Sequence, residues 1–300
     1  MSAGPVPASP AVRKLAREKG VDPTALAGEL GQTTVSKADV LRKAGGGTAG
    51  GSTMPSGKRD FWDVDHAAYG PGEWVALTNF ERVAAENLTA SLRNIPAVTH
   101  HDRIDMTIVE AFRGSLRQEA DERAVRLTAL AFHVKALTRA LAEFPKFNAS
   151  LSPDGSQLWL KHHFDIGIAV DTPHGLMVPV LRGCDTKKLW QIAADIGDFA
   201  ARAQARKVRP DEFGGASMSI TNLGAIGGRG FSPVINPPEV AILGLTRASM
   251  EPVWDGETFQ PALMCPIDLT YDHRVINGAD AARFVSRYAA LMGDPRKLLL

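Results

Sequence analysis

"DLTYDHRVINGAD" (residues 268–280) joins a strand-like run, "ALMCPIDLTYDH", to a helical pattern over residues 278–292. A strand-to-helix corner of this kind presents side chains to a cleft, and His273 stands on it. Imidazole titrates near about 6.5, so a neutral histidine can accept a proton at physiological pH. A single histidine can equally be one more hydrogen-bonded polar group, and residue types alone favour that plainer reading. No Ser or Cys stands at nucleophile-elbow spacing, so the chemistry open to His273 is activation of a substrate's own thiol or hydroxyl.

Working outward, helical patterns cover residues 78–94, 105–119, 123–144 and 186–206. Between and after them lie strand-like segments: "SQLWLKHHFDIGIAVDT", "GLMVPVLRG", "ASMSITNLG", "EVAILGLT" and "SMEPVW". The Asp-Gly of "VWDGETF" is a hairpin turn signal. Helices alternating with strands, closed by a late hairpin, predict an α/β domain with a mixed sheet covered by helices.

Upstream the composition breaks at "KAGGGTAGGSTMPSG" (residues 43–57), too poor in apolar groups to offset its ordering entropy. Ahead of it, Ser9 can cap a helix with Pro10 in the first turn, Val12, Leu15 and Ala16 on one face and Gly20 as its stop. A second short helix follows "VDP", and Ser36 caps a third in "SKADVLRK". The expected organisation is a disordered N-terminus over residues 1–8, a small helical module over 9–43, a flexible linker over 44–74 and one large domain over 75–300. Arg13, Lys14, Arg17 and Lys37 give the module a basic face. Those charges read either as solvated helix faces or as a docking surface for an acidic partner.

With Lys plus Arg at 34 against Asp plus Glu at 33, the net charge of +1 gives no support for a nucleic-acid or membrane-surface partner. No apolar run reaches the roughly 18 residues that span a bilayer, and "MSAGPVPASP" lacks a secretory pattern. Cys184 and Cys265 are far apart and form no C-x-x-C pair, so the expectation is no disulfide framework and a cytoplasmic location. The adjacent pairs His100–His101 and His162–His163 would point to opposite faces of a strand, and no metal-ligand spacing occurs, so no metal is expected. "GAIGGRG" (residues 224–230) does not fit G-x-G-x-x-G and reads as a turn or a close backbone approach.

"YDHRVINGADAARF" strongly resembles the C-terminal signature of the dihydrolipoamide acyltransferases of the 2-oxo acid dehydrogenase complexes, relatives of chloramphenicol acetyltransferase. "FPKFNASL", "FDIGIAVDTPHGLMVPVLR", "SITNLGAIGG", "FSPVINPPEVAILGL" and "ASMEPVWDG" resemble family segments in the same order. The module "SPAVRKLAREKGVD…SKADV" is similar to the family's peripheral-subunit-binding domain. The resemblance implies a chloramphenicol-acetyltransferase-like mixed-sheet catalytic domain preceded by that small helical domain. It implies transfer of an acyl group, closest to the acetyl-transferring members acting with pyruvate dehydrogenase, between dihydrolipoamide and coenzyme A. His273 would then be the general base on the attacking thiol, and Thr221, at the first position of "[ST]-N-L-G", would stabilise the tetrahedral oxyanion. A positioned base contributes about 10²–10⁴-fold and a preorganised oxyanion donor about 10²–10³-fold.

The sequence departs from the family pattern in places. Asn277 stands where D-H-R-x-x-D-G has its second Asp; its amide can orient neighbours or meet the oxyanion but cannot accept a proton. Ala97 replaces a usual histidine. In the docking loop "GELGQTTV", Thr33 replaces a glycine and Thr34 the arginine that pairs with an acidic partner surface. No D-K-[AS] lipoylation signature occurs, so the lipoyl group is expected from another domain or chain. The resemblance further implies homotrimers with His273 facing Thr221 of the neighbour. These would assemble into a 24-mer or 60-mer core that binds 2-oxo acid decarboxylase or dihydrolipoyl dehydrogenase through the N-terminal module. Leu298, Leu299 and Leu300, at the chain end, are expected to pack on a partner. Two other readings stay open: a non-catalytic scaffold, and a stand-alone CoA-dependent acyltransferase.

Overall fold

The computed structural model describes residues 9–30, 35–44, 64–173 and 175–299 and divides the chain into two compact units, Met1–Val75 and Ala76–Leu300. Expectations for residues 1–8, Thr33, Thr34, most of the linker, the side chain of Leu299 and Leu300 lie outside the described residues.

In the first unit, helices α1 (Pro10–Lys19), α2 (Pro23–Leu30) and α3 (Lys37–Ala44) enclose a small core of Val12, Ala16, Leu26, Ala27, Val35 and Val40. Ser9 Oγ accepts from the Val12 N–H at 3.4 Å, and Gly20 ends α1 in the left-handed region at φ 68°. Ser36 and Asp39 cap α3 reciprocally: the Ser36 N–H donates to Asp39 Oδ2 at 3.0 Å and the Asp39 N–H to Ser36 Oγ at 3.3 Å. At the described end of the expected linker, Asp65 caps a 3₁₀ turn, His66–Tyr69.

The second unit is built on a seven-stranded mixed sheet. Its strands are β1 (Ala97–Asp105), β4 (Ile166–Ile168), β5 (Val180–Leu181), β6 (Met218–Asn222), β7 (Ala241–Leu245), β8 (Ser249–Trp254) and β9 (Phe259–Asp272), in the order β1-β9-β7-β6-β4-β5 with β8 also on β9. A separate hairpin holds β2 (Ala149–Leu151) and β3 (Leu158–Leu160). The helices are α4 (Asn79–Asn94), α5 (Thr107–Ser115), α6 (Arg117–Glu122), α7 (Ala129–Glu143), α8 (Leu189–Gln204), α9 (Gly278–Met292) and α10 (Arg296–Leu299).

Strand alternation separates two chemistries. Ile220, Leu243, Leu245, Ile267, Leu269 and Tyr271 join one core cluster with Phe132 and Leu137 of α7 and Phe284 and Tyr288 of α9. Burial of each such side chain is worth roughly 1.5–3 kcal/mol. The alternate positions are mostly polar: Ser219, Thr221, Asp268, Thr270 and Asp272, with Thr99 and His101 from β1. Cross-strand pairing satisfies two pairs of them: Thr99 Oγ1 lies 2.8 Å from Thr270 Oγ1, and His101 Nδ1 contacts Asp268 Oδ1.

Several expectations are corrected. Residues 97–105 form β1, which no pattern announced, because "AVTHHDRID" is polar and largely exposed and owes its strand form to nine register pairs with β9. The helix expected over 105–119 starts at Thr107 and gives way at Leu116 to α6. The helix expected over 123–144 starts only at Ala129, since Ala124 takes a left-handed φ of 53°. "SQLWLKHHFDIGIAVDT" splits into β3 and β4, and "GLMVPVLRG" keeps only Val180–Leu181 as strand. Leu298 does not await a partner: α10 folds back onto the domain and buries it completely in the chain's own core.

Candidate active site

The corner after β9 is locked by its own first residue. Asp272, 2% exposed, accepts from the Arg274 N–H at 3.0 Å and from the Arg274 guanidinium at 2.9 Å (Nε) and 2.6 Å (Nη2), and this carboxylate holds the guanidinium pKa above its usual value. The Asp272 carbonyl accepts from Val275 and Ile276, each at 3.0 Å, and Ile276 is fully buried beneath the turn. Between these anchors His273 is exposed; its backbone N–H donates to the Pro96 carbonyl at 3.0 Å, and its ring lies 5.9 Å from that of Tyr271. The backbone is fixed while the imidazole stays accessible.

Asn277 caps α9: its Oδ1 accepts from the Asp280 N–H at 2.8 Å. Aspartate caps as well as asparagine does, so the departure at this position costs the fold nothing.

Thr221 is half-buried on β6, in register with Gly244 of β7, which pairs in turn with Asp268 of β9. That row meets β9 five residues before His273, about 16 Å along a strand rising about 3.3 Å per residue. Thr221 and His273 of one chain therefore do not meet. After β6 the "GAIGGRG" loop turns back, its carbonyls at Gly224, Ala225 and Ile226 held by the Arg247 guanidinium at 3.2, 3.0 and 3.2 Å.

Three groups near Thr221 were missed in the sequence. Phe231 lies over Gly244, where a Cβ would stand 2.9 Å from the ring. Asp268, 1% exposed, contacts His101 Nδ1 at 2.5 Å. Ser219, two positions before Thr221 on the same face, donates to Glu239 Oε1 at 2.9 Å, and burial pushes the Glu239 carboxyl up to about 7. The polar–apolar alternation of "PIDLTYD" was the one available hint that Asp268 belongs to a row of face-sharing groups.

Burial pushes the Cys184 and Cys265 thiols up to about 12 and about 11, so neither is a ready thiolate. Among the described residues no group of three or more His, Cys, Asp or Glu is placed to hold a metal ion. In the module, Arg13, Lys14, Arg17 and Lys37 are all exposed. No helix among the described residues is long and apolar enough to cross a membrane.

Residues 70–300 match the family model of the 2-oxoacid dehydrogenases acyltransferase (catalytic domain). The chain belongs to this acyltransferase family. Residues 6–41 match the e3 binding domain. Among curated acyltransferases of the family, the chain is 45% identical over 305 residues to the dihydrolipoyllysine-residue acetyltransferase component of the pyruvate dehydrogenase complex of Pseudomonas aeruginosa, covering 98% of this chain and 55% of that one. It is 45% identical over 302 residues to the same component of Azotobacter vinelandii, covering 98% and 47%. The chain thus spans about half the length of these relatives.

Among solved structures, the Azotobacter vinelandii dihydrolipoamide acetyltransferase superposes with a TM-score of 0.78 at 46% identity, covering 83% of this chain and all of that one. That structure comes from crystallographic and enzymatic work on a serine, a histidine and an asparagine in its catalytic mechanism, the histidine 52 positions after the serine and 4 before the asparagine. The cubic core of a pyruvate dehydrogenase multienzyme complex superposes equally, at a TM-score of 0.78 and 46% identity over the same shares.

Proposed function

We propose that this chain transfers an acetyl group between dihydrolipoamide and coenzyme A at a site shared between copies, with His273, Thr221 and Asn277 as its catalytic residues. The observation that carries this reading is the spacing: His273 follows Thr221 by 52 positions and precedes Asn277 by 4, as in the catalytic serine, histidine and asparagine of the Azotobacter relative.

Each group suits its task. A thiol is mostly protonated near neutral pH, and the thiolate is the nucleophile. His273 takes the thiol proton, and the thiolate adds to the thioester carbonyl. The Thr221 hydroxyl donates to the resulting oxyanion. Collapse breaks the original C–S bond, and the departing thiolate recovers the proton from the imidazolium. Asn277, neutral and already engaged through Oδ1, has an amide NH₂ left to orient a neighbour or meet the oxyanion.

The acetyl group is favoured by Phe231, whose ring lies over Gly244, the register partner of Thr221, where it would limit the length of the acyl chain. The separation of Thr221 from His273 supports a site completed by a second copy, which a homotrimer would supply, and similarity to a cubic core favours a 24-mer over a 60-mer. The module over 9–43 would dock dihydrolipoyl dehydrogenase or a 2-oxo acid decarboxylase, with Arg13, Lys14, Arg17 and Lys37 facing the partner's acidic groups. Its exposed basic helix face suits such a partner even where the usual arginine is Thr34. Residues 44–74 would link the module to the catalytic domain over 75–300, and the lipoyl group would come from another domain or chain.

The test is acetyl-CoA with free dihydrolipoamide, followed as S-acetyl product, for wild type and His273→Ala. Turnover that falls at least about 10²-fold in the variant is expected; a wild type inert toward every acyl-CoA would contradict the reading.

A further inference from the structure

Thr221, Gly244, Asp268 and His101 form one row across β6, β7, β9 and β1. Register partners point to the same face of a sheet, and the His101–Asp268 contact of 2.5 Å follows from that. A carboxylate buried to 1% exposure in mid-sheet must be hydrogen-bonded to persist there. Asp268 divides its two oxygens: Oδ1 meets His101 Nδ1, and Oδ2 accepts the backbone N–H of Phe231 at 3.1 Å.

Phe231 belongs to the segment between β6 and β7, so this bond reaches out of the sheet. Its ring rests on Gly244, the row position between Asp268 and Thr221. Any side chain at Gly244 would collide with the ring, since a Cβ there would stand 2.9 Å from it. Neighbouring strands lie about 4.8 Å apart, so the ring stands one strand from the Thr221 side chain. The next row shows the contrast: Thr99 and Thr270 satisfy each other at 2.8 Å. Asp268 instead grips the main chain of the residue that walls the Thr221 site. His101 has its side chain 59% exposed, so it steadies the carboxylate from the solvent side without contributing to the core.

We propose that the Asp268–His101 pair is a positioning device that holds Phe231 over Gly244 and so sets the length of acyl chain accepted beside Thr221. The inference rests on the acyl-transfer reading and deepens it: the specificity of the site is fixed from two strands away, by residues that touch no substrate. Loosening the pair lets the ring swing off the row and admits longer chains. Removing the ring itself has the same effect, and the two changes do not add.

The experiment measures kcat/KM for acetyl-CoA, propionyl-CoA and butyryl-CoA with dihydrolipoamide, in wild type, Asp268→Ala, His101→Gln, Phe231→Ala and the Asp268→Ala/Phe231→Ala double variant of the whole chain. The butyryl-to-acetyl ratio is expected to rise about tenfold in Asp268→Ala and in Phe231→Ala. The double variant should gain nothing further, because both changes act through one ring. His101→Gln should move the ratio the same way by about threefold; it alters an exposed side chain, so it decides the matter if Asp268→Ala fails to fold. Equal losses for all three thioesters, or an unchanged ratio in His101→Gln and Asp268→Ala, would overturn the positioning role. A wild type inert toward every thioester would instead bring down the acyl-transfer reading.

Discussion

Thr221 and Asp268 stand two strands apart in one sheet row, and Asp268 lies on β9 five residues before His273, so Thr221 and His273 cannot meet within one chain. In the proposed reaction a monomer of this fold would carry two half-sites, each incomplete. Association would then be part of the chemistry, and dilution below the assembly threshold should abolish turnover without unfolding the domain.

The corner lock yields a first prediction. Asp272→Asn keeps the size of the side chain but removes the charge that the Arg274 fork and N–H grip at 2.6–3.0 Å. Kcat should fall at least about tenfold while KM for acetyl-CoA changes little, since a charge-assisted bond worth about 1.5–3 kcal/mol would orient the proposed base rather than bind substrate. Steady-state kinetics on the variant checks it; an unchanged kcat would show that the His273 backbone holds its place without Asp272.

Asn277 gives a second. Asn277→Asp preserves the cap on α9 and should leave thermal stability within about 0.5 kcal/mol of wild type, whereas Asn277→Ala should lose about 1 kcal/mol. Activity of Asn277→Asp should stay within a few-fold of wild type if the amide acts only by orienting, and a collapse of turnover at preserved stability would assign the amide a required role of its own. Urea unfolding and the S-acetyl assay, run in parallel, separate the two contributions.

A third concerns pH. Burial raises the Glu239 carboxyl from 4.5 to about 7, so its contribution to stability is full below about 4.5 and is lost as pH rises to about 7. Burial lowers His133 from 6.5 to about 4, so its contribution is full above about 6.5 and is lost as pH falls toward about 4. Each is worth roughly 3 kcal/mol, and between about pH 4.5 and 6.5 they oppose each other. Wild-type stability from this pair should be nearly flat there, while Glu239→Gln should gain stability with rising pH. Urea midpoints across that window decide it; parallel curves for the two proteins would refute the account of Glu239.

The parts of the fold legible in the sequence are those whose own residues dictate them. Helix α9 runs from Gly278 to Met292 as its pattern announced, because the Asn277 cap and the apolar spacing of Ala281, Phe284, Val285 and Tyr288 agree. The β8–β9 hairpin turns at Asp255–Gly256, where the Asp255 side chain accepts from the Glu257 and Thr258 N–H groups, each at 2.8 Å. Strand β1 was not legible, since nothing in "AVTHHDRID" marks an edge that only β9 can pair. The same holds for Asp268, Phe231 and Glu239: each acquires its role from a residue on another element, and no local pattern encodes that meeting. His273 and Thr221 were marked by family resemblance, and their separation on the sheet became visible only with the strand register.

The central claim, that one copy supplies His273 and another Thr221, is tested by complementation. Thr221→Ala and His273→Ala chains, each poorly active alone, are co-assembled in equal amounts and assayed with acetyl-CoA and dihydrolipoamide. Random mixing places a wild-type His273 opposite a wild-type Thr221 at about a quarter of the interfaces, so activity should return to about a quarter of the wild-type value. Mixed assemblies no more active than the separate variants would contradict the shared site.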